Sequence, residues 1–389
     1  LMFLVLSAPD DLFWVDSQDY YSIANTLHDG GPYSVPGDDL NIYRSPGYPF
    51  VLSIIMRLAG TSIIGIRLVH IALFPFFLLV LYRLGTILVD TRTGMLTMLL
   101  GATYPLYIYI PLTLYPESLL IYLFAVMALL MFSADQKRSH LSILALGAGI
   151  SLATMMRPTA IVWIPVCVLH LLRGKRPTVA YLLELFIILV MLPTACVASW
   201  MLRNHYVHGC AVFSTSGSIN LLYAFNEQST WKTKQTVVVP TGEFGKDAFE
   251  AKTLAEKEHI RISTVRNFIK HHPGRALKMA SLRCLDLWNP VPRTTTEGGM
   301  ARLRFKIASG VVYVSLLALG VVGFLRHRKD PLVQALLMLM LLNTIVNGIV
   351  AVSVRYRAVT DFAFILLAAT VINSIVIANQ DPTSNEHKV

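Results

Sequence analysis

The sequence predicts an all-α polytopic membrane protein with about ten spanning helices, and three observations predict it. The 389 residues are 54% apolar and only 14% charged, with a mean hydropathy of +0.58. A soluble protein cannot cover its surface with that mixture. The apolar residues also gather into runs of membrane-spanning length, and basic residues concentrate in the short connectors between them.

The elements follow in order. Leu1-Met2-Phe3-Leu4-Val5-Leu6 is too short to cross ~30 Å of hydrocarbon and reads as the end of a first span whose start is missing. A loop over 9–63 follows. It carries a short helix over 17–27, which Asp16 could cap. It also carries an interfacial helix over 46–60, with Pro46 and Pro49 near its start. If 46–60 crossed the membrane, only residues 61–63 would remain to turn the chain, which is too few. Nine apolar segments come next: 64–88, 94–110, 117–133, 141–156, 158–173, 180–201, 306–325, 331–350 and 359–378.

Charge orients the segments. The connectors from Arg83 to Arg92, Lys137-Arg138, Arg173-Gly174-Lys175-Arg176 and Arg326-His327-Arg328-Lys329 fall on one side, the cytoplasm. The loops 9–63 and 202–305 and the connector 351–358 then face the exterior. The expected organisation is a membrane module over 1–201 that includes the first loop, an exterior subdomain over 202–305, C-terminal spans over 306–378 and a polar tail over 379–389. Within the subdomain, Lys246 to His271 reads as a helix with Ile262, Val265 and Ile269 on its apolar side. Pro273 starts a second helix through Trp288, with Leu277, Ala280, Cys284, Leu287 and Trp288 on one face. The short connectors and compact size point to a prokaryotic inner or plasma membrane.

The net charge of +10 is explained by topology, so nucleic acid is not expected as a partner. Cys167, Cys196, Cys210 and Cys284 form no CxxC pair, and no metal-ligand spacing appears. His205, His208 and Cys210 are too irregularly spaced to argue for a metal. No Gly-rich loop of a soluble nucleotide-sugar enzyme is present.

The polar residues that topology does not explain collect on the exterior side. They are Asp16, Asp19, Arg44, Glu117, Arg157, Arg203, Arg355 and Arg357. Singly, each arginine could snorkel to headgroups, and Asp16 could simply cap a helix. Together they are harder to dismiss, because the positive-inside rule disfavours five exterior arginines beside acids. Cations next to a candidate general base suit a phosphorylated substrate.

At these residues the chain resembles the GT-C superfamily of integral-membrane glycosyltransferases. Within it, the resemblance is to the family 39 branch of protein O-mannosyltransferases and the lipid A aminoarabinose transferase. The carriers are Asp16-x-x-x-Tyr20-x-x-x-Ala24, then Tyr43-Arg44-Ser45-Pro46-Gly47-Tyr48-Pro49, then Arg157-Pro158. Further along come Trp200-Met201-Leu202-Arg203-Asn204, followed by Gly209, Ser214, Ser216, Gly217 and Asn220, and finally Arg355-Tyr356-Arg357. Ser17 stands where many members have an acid, and Ala358 where Pro is frequent.

The resemblance implies sugar transfer from a polyprenyl-phosphate sugar donor to a glycan, lipid or protein acceptor, with membrane lipid around it. It makes Asp16 the catalytic residue. By their chemistry, Arg203 and Arg357 lead the phosphate-binding set, followed by Arg355, Arg157 and Arg44. Asp19, Tyr20, Glu117 and Asn204 take positioning roles. No motif requires a cofactor, and a divalent metal stays open. Two other readings also stay open: a ligase or polymerase of lipid-linked glycans, and a transporter or flippase. Arg67 and Glu184 are the nearest mid-span charges that transport would use, and no internal repeat supports that reading.

Overall fold

The structure is a computed structural model that describes residues 15–34, 42–137, 139–174, 176–231, 253–290, 300–350 and 352–380. Every regular element among them is helical. Helix α1 (Val15–His28) opens with Asp16 in its first turn, where a carboxylate is favoured by the helix dipole. Helix α2 (Gly47–Ala59) follows Pro46 and stops at Gly60, whose φ of 80° suits only glycine well. Helix α3 (Ile63–Leu88) is capped by the Ser62 side chain. Helix α4 (Thr91–Thr103) is capped by Asp90, which also accepts from Asn373 near the C-terminus.

Helix α5 (Pro105–Tyr109) continues as a 3₁₀ turn, Ile110–Leu112, and this pair bends from α4 by 60°. Pro105 explains the break, because it disfavours the helical conformation of Tyr104. Arg67 of α3 is fully buried and donates to the Leu112 carbonyl at that turn. Helices α6 (Glu117–Lys137), α7 (His140–Met156) and α8 (Trp163–Leu172) follow, with a 3₁₀ turn at Pro158–Val162 after Arg157. Helix α9 (Val179–Leu185) runs through a π-helical stretch, Phe186–Met191, into α10 (Leu192–His208). Glu184 in α9 pairs with His140 of α7.

Among the described residues, five helices are long and apolar enough to span, and the bent pair over residues 91–112 makes six. The segments 140–156, 158–172 and 362–378 are apolar but shorter. All nine predicted apolar segments are therefore helical, while fewer than ten helices meet the length of a full span. Breaks before prolines shorten several of them. The predicted interfacial helix over 46–60 is present as α2. The Leu1–Leu6 run and the tail beyond residue 380 lie outside the described residues.

Helices α11 (Thr215–Ala224), α12 (Leu254–His271) and α13 (Pro273–Leu287) enclose a separate small core of Leu222, Phe225, Val265, Phe268, Ala276 and Met279. The capping box Thr253–Glu256 starts α12. Residues 246–252 of that expected helix lie outside the described residues. The predicted faces need correcting. Ile262, Ile269 and Leu277 are exposed, while Glu258 and Arg261 are buried. Glu258 is satisfied there by Ser218 at 2.8 Å and by Arg261 at 2.8 Å, so a paired charge occupies the inner side. The C-terminal elements are α14 (Met300–His327), α15 (Pro331–Val350), α16 (Val354–Ala358) and α17 (Phe362–Gln380).

Close backbone approach places the parts around the site. A Cβ on Gly47 would lie 2.6 Å from the Met155 backbone, so the start of α2 rests on the end of α7. That contact brings Arg44 and Arg157 to the same end of the helices. The four cysteines are free.

Candidate active site

Asp16 and Asp19 lie three residues apart on α1 and so share a side of it. Asp16 Oδ1 accepts from Arg44 Nη2 at 2.8 Å, and Asp16 Oδ2 accepts from Arg355 Nη2 at 2.8 Å. Arg44 also gives Nε and Nη2 to Asp19 Oδ2, at 3.0 and 2.7 Å. The Arg44 backbone is fixed by Tyr33, whose hydroxyl donates to the Arg44 carbonyl at 2.8 Å. Its guanidinium lies over the rings of Tyr43 at 4.4 Å and Tyr20 at 5.2 Å. Burial by itself would raise the Asp16 carboxyl, but the guanidiniums of Arg355 and Arg44 outweigh it. They hold the carboxyl well below the usual carboxylate range.

A second layer surrounds this clamp. Arg355 stacks on Tyr115 at 4.0 Å and reaches the Tyr356 hydroxyl at 3.3 Å. Arg157 lies 3.5 Å over the Tyr356 ring and pairs with Glu117, which is buried. Tyr20 packs edge-on against Tyr48 and Tyr115. Arg44, Arg157 and Arg355 thus meet Asp16, Asp19 and Glu117 across a floor of tyrosine rings. Among the described residues, Arg355 Nε, Glu117 Oε2 and the Tyr48 hydroxyl are buried in this cluster with no hydrogen-bond partner.

Two other predicted residues lie beside the cluster. Arg203 donates to Asn204 Oδ1 at 3.0 Å, approaches His208 Nε2 at 3.1 Å and lies over Trp200. It pairs with no carboxylate among the described residues. Asn204 is spent on the chain behind it, donating to the Val212 carbonyl at 2.7 Å. Trp200 contacts Tyr33 at 4.9 Å, so one aromatic layer separates Arg203 from Arg44.

Arg357, expected in the phosphate set, is held apart from this cluster. It is 1% exposed, lies over Tyr313 at 3.6 Å and pairs through Nε with Asp361 Oδ1 at 3.2 Å. Its Nη1 donates to the carbonyls of Leu287 and Asn289. Tyr104 completes the group by donating to Asp361 Oδ2 at 2.6 Å. A guanidinium so enclosed is committed to holding α16 against the end of α13. Sequence reasoning missed Asp361, because it falls inside an apolar run. Its signal was its spacing, four residues after Arg357. Tyr115 and Tyr356 were missed as cluster members because tyrosines near span ends are common anchors.

Among the described residues, no three His, Cys, Asp or Glu side chains come together as a metal site. The carboxylates of Asp16 and Asp19 face guanidiniums instead.

Residues 43–200 match a family model described as dolichyl-phosphate-mannose-protein mannosyltransferase. That range includes Arg44, Glu117 and Arg157, while Asp16 and Arg355 lie outside it. No curated protein matches the chain. Among solved structures, it is similar to the crystal structure of ArnT from Cupriavidus metallidurans bound to undecaprenyl phosphate. That likeness has 12% identity and a TM-score of 0.41, and covers 97% of this chain and 76% of that one. At that score it carries no residue-by-residue correspondence.

Proposed function

We propose, for a membrane chain whose residues 43–200 match a family model described as dolichyl-phosphate-mannose-protein mannosyltransferase, that it moves a sugar from a polyprenyl-phosphate donor to an acceptor. The family match supports glycosyl transfer as the class of reaction. One observation carries the assignment of the site: Asp16 takes a guanidinium on each oxygen, beside a third at Arg157, at one end of an apolar helical body.

Asp16 is the base. A hydroxyl or amine of the acceptor attacks the anomeric carbon as the carbon–oxygen bond to the donor phosphate breaks. The acceptor proton passes to an Asp16 carboxylate oxygen, and the phosphate leaves with the bonding electron pair. Arg355 and Arg157 face that growing negative charge, and Arg203, which meets no carboxylate among the described residues, supplies a further cation. Arg44, held by Asp19 and Tyr33, keeps Asp16 oriented. Glu117 positions Arg157, and Tyr20 supports the Arg44 guanidinium. A single displacement of this kind inverts the anomeric centre. The distribution of basic connectors supports an exterior position for this end of the bundle, and in this reading α11 to α13 read the acceptor.

The test is transfer from a panel of radiolabelled polyprenyl-phosphate sugars in membranes that carry the chain. Asp16→Asn is expected to lower turnover by about 10²–10⁴-fold. Undiminished transfer by Asp16→Asn would remove Asp16 from the mechanism. Failure of the wild type to consume any donor would remove the reaction class.

A further inference from the structure

As folded, both oxygens of Asp16 are occupied. Each accepts a guanidinium N–H at 2.8 Å, from Arg44 and from Arg355. A carboxylate held this way has little affinity for a proton, so it cannot act as a base until one guanidinium withdraws. The two arginines are not equivalent in this respect. Arg44 has a second carboxylate, Asp19, which takes its Nε and Nη2. Its backbone is tied by Tyr33 and its guanidinium by two tyrosine rings. Among the described residues, Arg355 has no second carboxylate. Its guanidinium rests on the rings of Tyr115 and Tyr356 and donates to the Tyr356 hydroxyl at 3.3 Å, while its buried Nε meets no acceptor among the described residues.

A guanidinium with one N–H on a carboxylate and a neighbouring N–H orphaned is half of a fork. A phosphate oxygen pair would complete the fork. We infer that the donor phosphate and Asp16 compete for Arg355, so that donor binding draws this arginine away and frees Asp16 to receive the acceptor proton. The inference rests on the transferase reading. It adds an order, donor before acceptor, and gives Arg355 two successive partners. The base is latched while the donor site is empty, which keeps the carboxylate from acting on water or acceptor alone. The same competition weakens donor binding, because part of the gain is used to break the Asp16–Arg355 pair.

The experiment measures binding of polyprenyl monophosphate, without sugar, to the full-length chain in detergent. It compares wild type, Asp16→Asn and Arg355→Gln. Competition predicts that Asp16→Asn binds the lipid phosphate more tightly than wild type, about fivefold or more, while Arg355→Gln binds more weakly than either. A folded Asp16→Asn that binds with equal or lower affinity overturns the competition. It leaves the transferase reading standing, provided the wild type binds. A wild type that binds no polyprenyl monophosphate overturns both. If Asp16→Asn is not monodisperse on gel filtration, Asp16→Ser poses the same comparison with the same two outcomes.

Discussion

Asp16 shows how a residue's neighbours set its response to acid. An unfolded aspartate titrates at about 3.9, and the clamp by Arg355 and Arg44 places the folded value below that. A lowered carboxylate contributes stability that is complete above the unfolded value and is lost as pH falls through the folded one. The difference in melting temperature between wild type and Asp16→Asn should therefore be the same at about pH 5.5 and about pH 7.5. A difference that changes between these two values would mean that the folded carboxyl titrates above the ordinary range rather than below it. At this scale much of the site was legible, since Asp16, Asp19, Arg44, Glu117, Arg157 and Arg355 do converge. Their type and their place at span ends were sufficient signals. Arg357 lies apart from them, because sequence shows a charge but not its partner. Asp361, that partner, was overlooked inside an apolar run although it stands four residues on.

The helices were legible as elements, but their inner sides were less so. Apolar periodicity located α12 and α13, yet Glu258, Arg261 and Arg283 occupy buried positions on them. A count of apolar residues cannot anticipate a buried ion pair or a buried arginine that caps carbonyls. Helix contacts were equally hidden, because glycine gives no hydropathy signal. The α2–α7 contact depends on Gly47, where a Cβ would meet the Met155 and Met156 backbone at 2.6 Å. Gly47→Ala should cost about 1–3 kcal/mol and displace Arg44, so both melting temperature and transfer fall. Gly217→Ala meets nothing within 4 Å and should change neither. Equal behaviour of the two variants would show that the α2–α7 contact can relax without cost.

Across the whole molecule, the small domain of α11 to α13 is joined to the membrane helices through Arg283. Its Nε donates to the Gly348 carbonyl at 2.9 Å and its Nη1 to the Ala224 carbonyl at 3.2 Å. One buried guanidinium thus satisfies carbonyls at the ends of α15 and α11, which no later turn of helix would satisfy. Arg283→Met is expected to loosen that joint. Limited proteolysis should then cut α12 or α13 faster than in the wild type while the membrane helices stay protected. Unchanged cleavage would place the joint elsewhere. Charge distribution alone predicted which segments would gather at the end that carries the site. It could not predict the number of full spans, because that depends on bends such as the one before Pro105.

The Asp16–Arg355 pair joins residues 339 positions apart, and Tyr104–Asp361 joins residues 257 apart. During synthesis, Asp16 and Arg44 can meet as soon as the first helices are in place, whereas Arg355 is made only after the long helices up to α15. A nascent chain therefore carries a carboxylate with one arginine while those helices are inserted. The cluster closes only once the segment after α15 has emerged, so fragments released before it lack the Arg355 side of the clamp however well their own helices pack.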